Sequence, residues 1–352
     1  SVGDQLHPSG KINAATYQLI GNVYSQVAAK EPWCSETQAV TEIAILTPEA
    51  VGTADGRVDT SLAGALHMLQ EAHYQFDVVD TQSDLGSYKV LILPDKIPVD
   101  AELTTKIQAY LSSGGRLLMS HKAGTDPATG QFALQFGCRV LGEADHSPDY
   151  LVAKAGMSQA IWDTEHVMYE RALAIETDQE VEVLAEQWRP YFNRTYKHFC
   201  SHGQTPPEAA TGRPAVIRSG RIIYFAHPIF RMYRRYGAHT YKQLVLNALT
   251  QLLPERVVES SAPTTARLSL MRQTDRHILH ILHYIPERRA LETDIIEDII
   301  PLYDVSLSVM LPSPPRRVYL APGNEDIDWE WQAGRVRCRV PQVQGHQMVV
   351  FE

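Results

Sequence analysis

The chain has 352 residues, a size that fits two or three globular domains. Apolar residues make up 44% of the sequence and charged residues 21%, which excludes a chain that is disordered throughout. Acidic residues outnumber basic residues by 41 to 32, so general nucleic-acid binding, which needs a basic face, is not expected. No apolar run approaches the ~20 residues of a membrane-spanning helix, and no pair of cysteines has CxxC spacing.

The N-terminal residues are typical of the interior of a protein. The segment SVGDQLHP contains neither the basic nor the apolar part of a signal peptide and reads as a strand end that runs into a polar turn. We therefore interpret the sequence as a piece of a longer protein. From Gly10 to Lys30 apolar residues recur at helical spacing, with Asn13 as a suitable N-cap, so a connecting helix is predicted here.

An alternation of short apolar strands and amphipathic helices begins at Thr41. Its predicted strands are Ile43–Leu46, Phe76–Asp80, Val90–Asp95 and Arg116–Ser120, its predicted helices are Leu62–His73 and Ala101–Leu111, and it ends with the hairpin Ala215–Arg218 and Ile222–Phe225 and the helix Tyr241–Leu253. Alternation at this spacing predicts an α/β domain with a doubly wound parallel sheet over residues 41–258.

Two further regions do not show this alternation of strands and helices. Residues 142–207 are rich in Trp, Tyr, Phe and His, and we interpret them as an irregular insertion at the carboxyl edge of the sheet, where α/β folds place binding surfaces. Residues 264–352 contain strand-like segments separated by Pro and Gly turns, which predicts a small antiparallel β-sandwich. The strands expected there are Ala266–Met271, His277–Tyr284, Asp304–Leu311, Arg317–Leu320, Arg335–Val340 and Met348–Glu352.

The turn after the strand Arg116–Ser120 is a position in which α/β enzymes can carry a nucleophile. Here the turn contains His121 and Lys122 in place of a Cys or Ser, and no G-x-S-x-G motif is present. A turn without a catalytic function is therefore the favoured interpretation.

The segment Tyr191–His202 is the most distinctive polar and aromatic stretch. His198, Cys200 and His202 alternate as they would on one face of a strand, and each could ligate zinc. The second ligand pair of a structural zinc site is missing from the sequence, so a sugar-binding or interface loop, or a purely structural segment, is favoured over a metal site. A second cluster, His277, His280 and His283, is expected to be partly exposed on a strand and too spread out to share a metal ion.

The order of these parts resembles the C-terminal half of family 42 β-galactosidases and of a related group that includes family 151 α-L-fucosidases. The phrases that carry the resemblance are Gly3–Pro8, Tyr191–His202, His280–Arg289 and Gly345–Val350. The resemblance implies that residues 1–40 are the end of a TIM barrel with a connecting helix. It implies that residues 41–258 are a β-galactosidase trimerisation domain, which is flavodoxin-like and similar to class I glutamine amidotransferases, and that a β-domain follows.

The resemblance also implies that amidotransferase chemistry is lost. The cysteine nucleophile of that family would fall at His121 or Lys122, and its His-x-Glu pair at His227 and Ile229. Only the histidine is kept, so we expect no catalytic residue in the chain. The contacts to sugar that we carry over or consider are Asp4, His7, Tyr191, Arg194, His198 and His202.

We therefore expect a non-catalytic region that forms a homo-oligomer, a trimer, and supports the active site of an α-L-fucosidase or β-galactosidase-like exo-glycosidase in the cytoplasm. We expect neither a cofactor nor a metal, nucleic-acid or membrane partner, and contact with carbohydrate through the parent enzyme. Two alternatives remain open. One is a hydrolase or amidotransferase-like enzyme that uses Cys138 or Cys200 with His227; the other is a carbohydrate-binding module with a stacking platform made of Trp162, Trp188, Tyr191 and Tyr196.

Overall fold

The computed structural model describes residues 7–352, so the expected sugar contact Asp4 lies outside the described residues. The helices are α1 (Ala14–Ala28), α2 (Thr60–Glu71), α3 (Ala101–Ser112), α4 (Ile229–Tyr236) and α5 (His239–Leu252). The strands are β1 (Gln38–Ala39), β2 (Ile43–Leu46), β3 (Phe76–Val79), β4 (Val90–Leu93), β5 (Arg116–Ser120), β6 (Cys138–Glu143), β7 (Asp149–Ala153), β8 (His166–Met168), β9 (Leu173–Thr177), β10 (Glu182–Pro190), β11 (Pro207–Ser219), β12 (Ile222–Phe225), β13 (Val258–Ser260), β14 (Ala266–Arg272), β15 (His277–His283), β16 (Glu287–Arg288), β17 (Asp294–Ile295), β18 (Leu302–Met310), β19 (Val318–Ala321), β20 (Glu325–Asp326), β21 (Trp329–Gln332), β22 (Arg335–Val343) and β23 (His346–Phe351).

The chain folds into two compact units. Unit 1 combines the described part of Ser1–Val40 with Val258–Glu352, and unit 2 is Thr41–Val257. Among the helices of residues 7–352, not one has the length and apolar character needed to cross a membrane.

Unit 2, which is described in full, is built on a nine-stranded mixed sheet in the order β3-β2-β4-β5-β12-β11-β10-β7-β8. The pairs from β3 to β12 are parallel. The pairs from β12 to β8 are antiparallel. The prediction of a parallel sheet is therefore confirmed for the first five strands of that order, and the sheet as a whole is mixed.

The parallel strands β2, β4, β5 and β12 are buried on both faces, whereas the edge strand β3 is partly exposed. In β2, Ile43 and Ile45 pack into the core that includes side chains of α2, α4 and α5. The alternate residues Ala44 and Leu46 pack into the opposite core, which includes side chains of α3. Continuous apolar runs are typical of strands covered by helices on both sides, which is why this part of the fold was predictable.

The prediction that residues 142–207 are irregular is wrong. Strands β7, β8 and β10 extend the large sheet, and β9 pairs with β6 in a separate two-stranded sheet. The register between β10 and β11 shifts at four points. Such bulges break the period of two in the side-chain pattern, so the sequence gives no clear alternation here. Residues 191–206 form the loop that joins β10 to β11.

The described part of unit 1 is dominated by two antiparallel sheets. One has the order β1-β14-β15-β23-β19-β20 and the other the order β13-β18-β22-β21. Strand β22 of the second sheet contacts β15 and β23 of the first. Strand β1 pairs with β14, which places the segment before Val40 in the same unit as the C-terminal strands.

Helix α1 lies in unit 1 and begins as predicted at Asn13, whose Oδ1 accepts a hydrogen bond from the N–H of Thr16 at 3.1 Å. None of its residues is buried, and Leu19, Val23 and Val27 are each more than half exposed. The apolar stripe that the sequence predicts is thus present, but it remains open in the described structure.

Helices α2 and α4 approach each other closely at Gly64. A Cβ atom at this position would lie 1.9 Å from the carbonyl oxygen of Phe230. The backbone of α4 therefore occupies the space that a side chain at position 64 would need, so only glycine fits here.

We expect Gly64→Ala to lower the free energy of unfolding by about 2–3 kcal/mol, because the added methyl group must push α4 away from α2. Denaturant unfolding followed by circular dichroism measures this change. The matched control is Gly21→Ala in α1, where a Cβ atom meets nothing within 4 Å. That variant should gain about 0.5–1 kcal/mol, since alanine is the better helix former. Equal losses in both variants would show that the close approach at Gly64 does not matter.

Candidate functional site

Polar side chains collect at the carboxyl ends of β4, β5 and β12, which share one edge of the sheet. Asp95 follows β4, Ser120 ends β5 with His121 directly after it, and His227 follows β12. All are buried except His121, which is half-buried. We call these four residues the carboxyl-edge site. In α/β sheets this edge is where ligands and catalytic groups are usually found.

Asp95 connects β5 to the first turn of α4. Its carboxylate accepts hydrogen bonds from Ser120 Oγ at 2.7 Å, from the N–H of Arg231 at 2.7 Å and from the N–H of Phe230 at 3.4 Å. The two backbone donors belong to a helix end that its own N-cap residue, Pro228, does not cap with a side chain. Burial raises the pKa of Asp95 to about 6, although these donors favour the ionised form.

His121 has a φ of 48°, in the left-handed region that non-glycine residues rarely adopt. Its N–H donates to the carbonyl oxygen of Phe225 at 2.7 Å, and its own carbonyl oxygen accepts from Tyr224 Oη at 2.7 Å. Burial, with the charge of Lys122 and other cationic neighbours, lowers the pKa of His121 to about 3. A neutral imidazole therefore occupies a strained turn of the kind in which α/β-hydrolases present a nucleophile.

His227 is held by a carboxylate from the antiparallel half of the sheet. Its Nε2 lies 2.7 Å from Asp149 Oδ1, and the other oxygen of Asp149 accepts from the side-chain amide of Gln187. A carboxylate that orients an imidazole is a common part of acid–base sites. However, Nδ1 of His227 is buried without a hydrogen-bond partner among the described residues, so no described nucleophile is bonded to this imidazole.

In the described structure, neither of the two cysteines considered as nucleophiles is hydrogen-bonded to this imidazole. Burial of Cys138 in β6 raises the pKa of its thiol to about 12, which keeps it protonated and unreactive. Cys200 lies in the 191–206 loop, where its thiol contacts the carbonyl oxygens of His202 and Gln204. The geometry gives no support to an enzyme that uses either cysteine with His227.

The 191–206 loop carries the expected sugar contacts of unit 2. The prediction that His198, Cys200 and His202 alternate along a strand is wrong, because these residues lie in a loop. Arg194 donates to the carbonyl oxygens of Cys200 and Gly203, so this side chain organises the loop. Tyr191, His198 and His202 are exposed. Within residues 7–352, no cluster of three or more His, Cys, Asp and Glu side chains is placed to hold a metal ion.

The remaining expected contact, His7, is exposed in unit 1, where its Nδ1 lies 3.0 Å from Ser9 Oγ.

The aromatic platform considered for a carbohydrate-binding module is not formed. Strand β10 runs antiparallel to β7, with Trp188 opposite Tyr150. Tyr191 therefore lies beyond the start of β7, whereas Trp162 lies in the turn after its end. The two residues therefore belong to segments at opposite ends of β7, a five-residue strand about 17 Å long, and this placement does not favour one stacking surface.

The histidines of β15 differ from one another in burial. His277 and His280 are half-buried, as expected, but His283 is buried, and the prediction of partial exposure is wrong for it. The ring nitrogens of His283 lie 3.0 Å from Thr265 Oγ1 and 3.0 Å from the carbonyl oxygen of Ile300. These two bonds satisfy the ring and explain how it can be buried.

His280 also belongs to a group of three side chains that the sequence did not reveal. We call this group, His280, His346 and Lys30, the histidine cluster. Its ring stacks on the ring of His346 with centroids 5.3 Å apart, and Nδ1 of His280 lies 3.1 Å from Nε2 of His346. The other nitrogen of His346 lies 3.0 Å from Nζ of Lys30. These three potentially cationic groups lie in unit 1, far apart in the sequence.

Comparison with known proteins decides the family. The β-galactosidase trimerisation domain family matches residues 66–253, which is more than half of the chain. The chain belongs to this family. No curated protein matches it.

Solved structures extend the likeness beyond the trimerisation domain. The α-L-fucosidase isoenzyme 2 from Paenibacillus thiaminolyticus is 37% identical over 99% of this chain and 54% of its own, with a TM-score of 0.94. The β-galactosidase from Bacillus circulans sp. alkalophilus is 12% identical over 99% of this chain and 46% of its own, with a TM-score of 0.63. The cold-adapted β-galactosidase from Rahnella sp. R3 is 14% identical over 98% and 46%, with a TM-score of 0.61. The chain thus spans about half the length of these proteins, and its likeness to the two β-galactosidases shows the fold alone.

We expect Asp149→Ala in the trimerisation-domain protein to lower the free energy of unfolding by about 3 kcal/mol. The substitution leaves Nε2 of His227 and the amide of Gln187 buried without their acceptor, and unpaired buried groups are costly. Urea denaturation followed by circular dichroism measures the loss. Asp145→Ala is the matched control, since the Asp145 side chain is 77% exposed and should change stability by no more than about 0.5 kcal/mol. A loss in Asp149→Ala no larger than in this control would contradict the assignment.

The histidine cluster predicts a pH dependence of stability. Burial, with the charges of Lys30 and His280, lowers the pKa of His346 from 6.5 to about 4. The unfolded chain therefore binds more protons than the folded chain between these values, and the free energy of unfolding falls as the pH falls from 6.5 to 4.

We expect His346→Gln to reduce this slope, as measured by urea denaturation at a series of pH values between 4 and 7.5. His7→Gln is the control substitution, because His7 is exposed and lies outside the histidine cluster. A slope that is identical in the His346→Gln variant and the original chain would rule out the cluster as a source of the pH dependence.

Proposed function

We propose that this chain is the non-catalytic oligomerisation and active-site-supporting region of a glycoside hydrolase, and that it assembles as a homotrimer. The observation that carries the proposal is the match to the β-galactosidase trimerisation domain over residues 66–253. The 37% identity to an α-L-fucosidase over nearly the whole chain favours an α-L-fucosidase as the parent enzyme, within the wider class of β-galactosidase-like exo-glycosidases.

The proposal assigns a role to each part of the chain. Residues 1–40 would be the end of the catalytic barrel and its connecting helix, residues 41–258 the trimerisation domain, and residues 264–352 a β-sandwich domain. The order β3-β2-β4-β5, with helices on both faces of the sheet, supports a flavodoxin-like, doubly wound core for the trimerisation domain.

The carboxyl-edge site supports a domain that keeps an amidotransferase-like fold without its chemistry. His121 and Lys122 occupy the turn in which the nucleophile would lie, so this turn presents no thiol. The acid of the His-x-Glu pair would fall at Ile229, which is buried in the core at the start of α4. Asp149 orients His227 from a different strand, and among the described residues no nucleophile is hydrogen-bonded to this imidazole.

The 191–206 loop is the surface that we propose to face the neighbouring subunit and the sugar. Tyr196 is 85% exposed and Phe199 is 71% exposed. The loop is nevertheless anchored, since Thr205 Oγ1 donates to the carbonyl oxygen of Phe192 at 2.9 Å and Tyr150 Oη donates to that of Thr205 at 2.5 Å. Aromatic side chains held outward by an anchored backbone are typical of protein interfaces. The proposed sugar contacts are Asp4, His7, Tyr191, Arg194, His198 and His202.

The first experiment is light scattering on a size-exclusion column, with aryl-glycoside hydrolysis assayed on the same peak. A trimer has three times the mass of the 39.4 kDa chain, and we expect this mass without hydrolysis. A monomer that hydrolyses an aryl glycoside would overturn the proposal and return attention to the histidines and cysteines of unit 2.

We expect the double substitution Tyr196→Ser and Phe199→Ser to raise the dissociation constant of the trimer at least tenfold. Each large aromatic side chain buried at an interface contributes about 1.5–3 kcal/mol, and tenfold corresponds to about 1.4 kcal/mol. Sedimentation equilibrium measures the constant. Trp162→Ser is the matched control, because Trp162 is also 85% exposed but lies at the other end of β7. A trimer weakened by the Trp162 substitution and not by the loop substitutions would move the interface to that end.

A further inference from the structure

A cavity of about 710 Å³ lies in unit 1 at the turn between β14 and β15. Its walls are residues 272–277, the segment 311–317 between β18 and β19, and residues 351–352. Four arginines contribute to the lining: Arg272, Arg276, Arg316 and Arg317. We call it the arginine cavity.

Neutral acceptors orient two of these guanidinium groups. Arg272 Nη2 donates to Gln38 Oε1 at 2.8 Å. Arg276 Nε donates to Gln273 Oε1 at 2.6 Å, and its Nη2 donates to the carbonyl oxygen of Pro32 at 2.8 Å. Bonds of this kind hold a guanidinium group in place and leave its positive charge uncompensated.

Ion pairs neutralise little of the charge in the lining. Arg317 pairs with Asp326 at 2.5 Å. In the part of the chain that the structure describes, Arg272, Arg276 and Arg316 take part in no ion pair. The guanidinium group of Arg316 is exposed and available to a ligand.

The other titratable groups of the lining do not reverse this balance. They are Asp275, His277 and Glu352, which in the 352-residue chain carries a terminal carboxylate besides its side-chain carboxylate. Burial and the charge of Arg272 lower the pKa of His277, so its ring is neutral at pH 7. The lining therefore carries four arginines against three carboxylates, an excess of one positive charge, in a chain whose net charge is −9.

One wall of the cavity is stiff before any ligand binds. The segment 311–317 contains Pro312, Pro314 and Pro315, and proline fixes the backbone φ. The segment is tied at both ends, by the N–H of Leu311 to the carbonyl oxygen of Gly334 at 3.2 Å and by the N–H of Arg316 to that of Glu352 at 2.5 Å. A stiff wall loses little entropy on binding, which favours affinity.

We propose that the arginine cavity binds the oxyanion of an acidic saccharide, a sugar that carries a sulfate ester, a phosphate or a carboxylate. The oxyanion follows from the guanidinium groups, whose paired N–H donors match two oxygens of such a group. The inference that the anion belongs to a saccharide rests on the proposed function and on the cavity volume of about 710 Å³, which leaves room for a sugar ring beside the anion.

Isothermal titration calorimetry of the 352-residue chain tests the proposal, with glucose 6-sulfate, glucose 6-phosphate, glucuronate, neutral glucose and inorganic sulfate as probes. We expect at least one acidic sugar to bind and glucose not to bind. The affinity should fall at least threefold between 50 and 300 mM NaCl, because salt screens the arginines. The acidic sugar that binds most tightly identifies the anion. Inorganic sulfate that binds as tightly as every acidic sugar would overturn the saccharide part of the proposal, whatever the oligomeric state of the chain.

Substitutions locate the binding. The double variant Arg272→Gln and Arg316→Gln should raise the dissociation constant at least tenfold without a change in thermal stability. Arg337→Gln is the matched control, since Arg337 is also exposed and also bonded to a glutamine, Gln332 Oε1 at 2.9 Å, but lies outside the cavity. Failure of every anion to bind at 10 mM, or undiminished binding by the double variant, would overturn the proposal.

Discussion

The buried carboxylate of Asp95 is the interaction on which the carboxyl edge of unit 2 depends. It accepts a hydrogen bond from Ser120 at the end of β5 and supplies the acceptor for the first turn of α4. Because α4 is fixed there, its backbone can lie against Gly64 of α2, and Arg231 can reach the nearly buried carboxylate of Glu170. A buried carboxylate is expensive to desolvate, and only this full set of donors makes it tolerable. One side chain therefore sets the positions of a strand end, a helix and an ion pair.

The strained turn at His121 is held in place by the backbone and side chains around it. A non-glycine residue with positive φ stores roughly 1–3 kcal/mol of strain, and such strain persists only where the surroundings determine the conformation. Here the N–H and the carbonyl oxygen of His121 are bonded to Phe225 and Tyr224 of the neighbouring strand. The turn is thus part of how β5 and β12 are joined. The turn needs no nucleophile to keep this conformation, which is consistent with the non-catalytic role that we propose.

Local signals made much of the fold predictable. The apolar run Ile43–Leu46 indicates a buried parallel strand, and α3 begins at its own cap, Asp100, and ends just before Gly114. Helix α4 has no such signal, because the carboxylate that caps it belongs to Asp95, 135 residues earlier.

The candidate site likewise combines residues that the sequence identifies with a partner that it does not identify. The sequence places His121, Lys122 and His227 at the carboxyl ends of strands, and the structure brings the two histidines to the ends of the neighbouring parallel strands β5 and β12. The partner of His227, Asp149, lies 78 residues away, in a region whose bulged strands hide their alternation. Contacts of this range depend on the register of the whole sheet, and short windows of sequence do not contain that information.

We propose a binding partner for two kinds of surface, one apolar and one charged. Added salt should affect the strength of binding at these surfaces in opposite directions. The aromatic side chains of the 191–206 loop and the open stripe of α1 are apolar, so an association that covers them gains from the removal of water. Subunits with a net charge of −9 repel one another, and added salt screens that repulsion, so a trimer formed through apolar contacts should become tighter. The arginine cavity works by attraction between opposite charges, which the same salt weakens. A common salt dependence would therefore mean that one of the two surfaces has been assigned the wrong kind of partner.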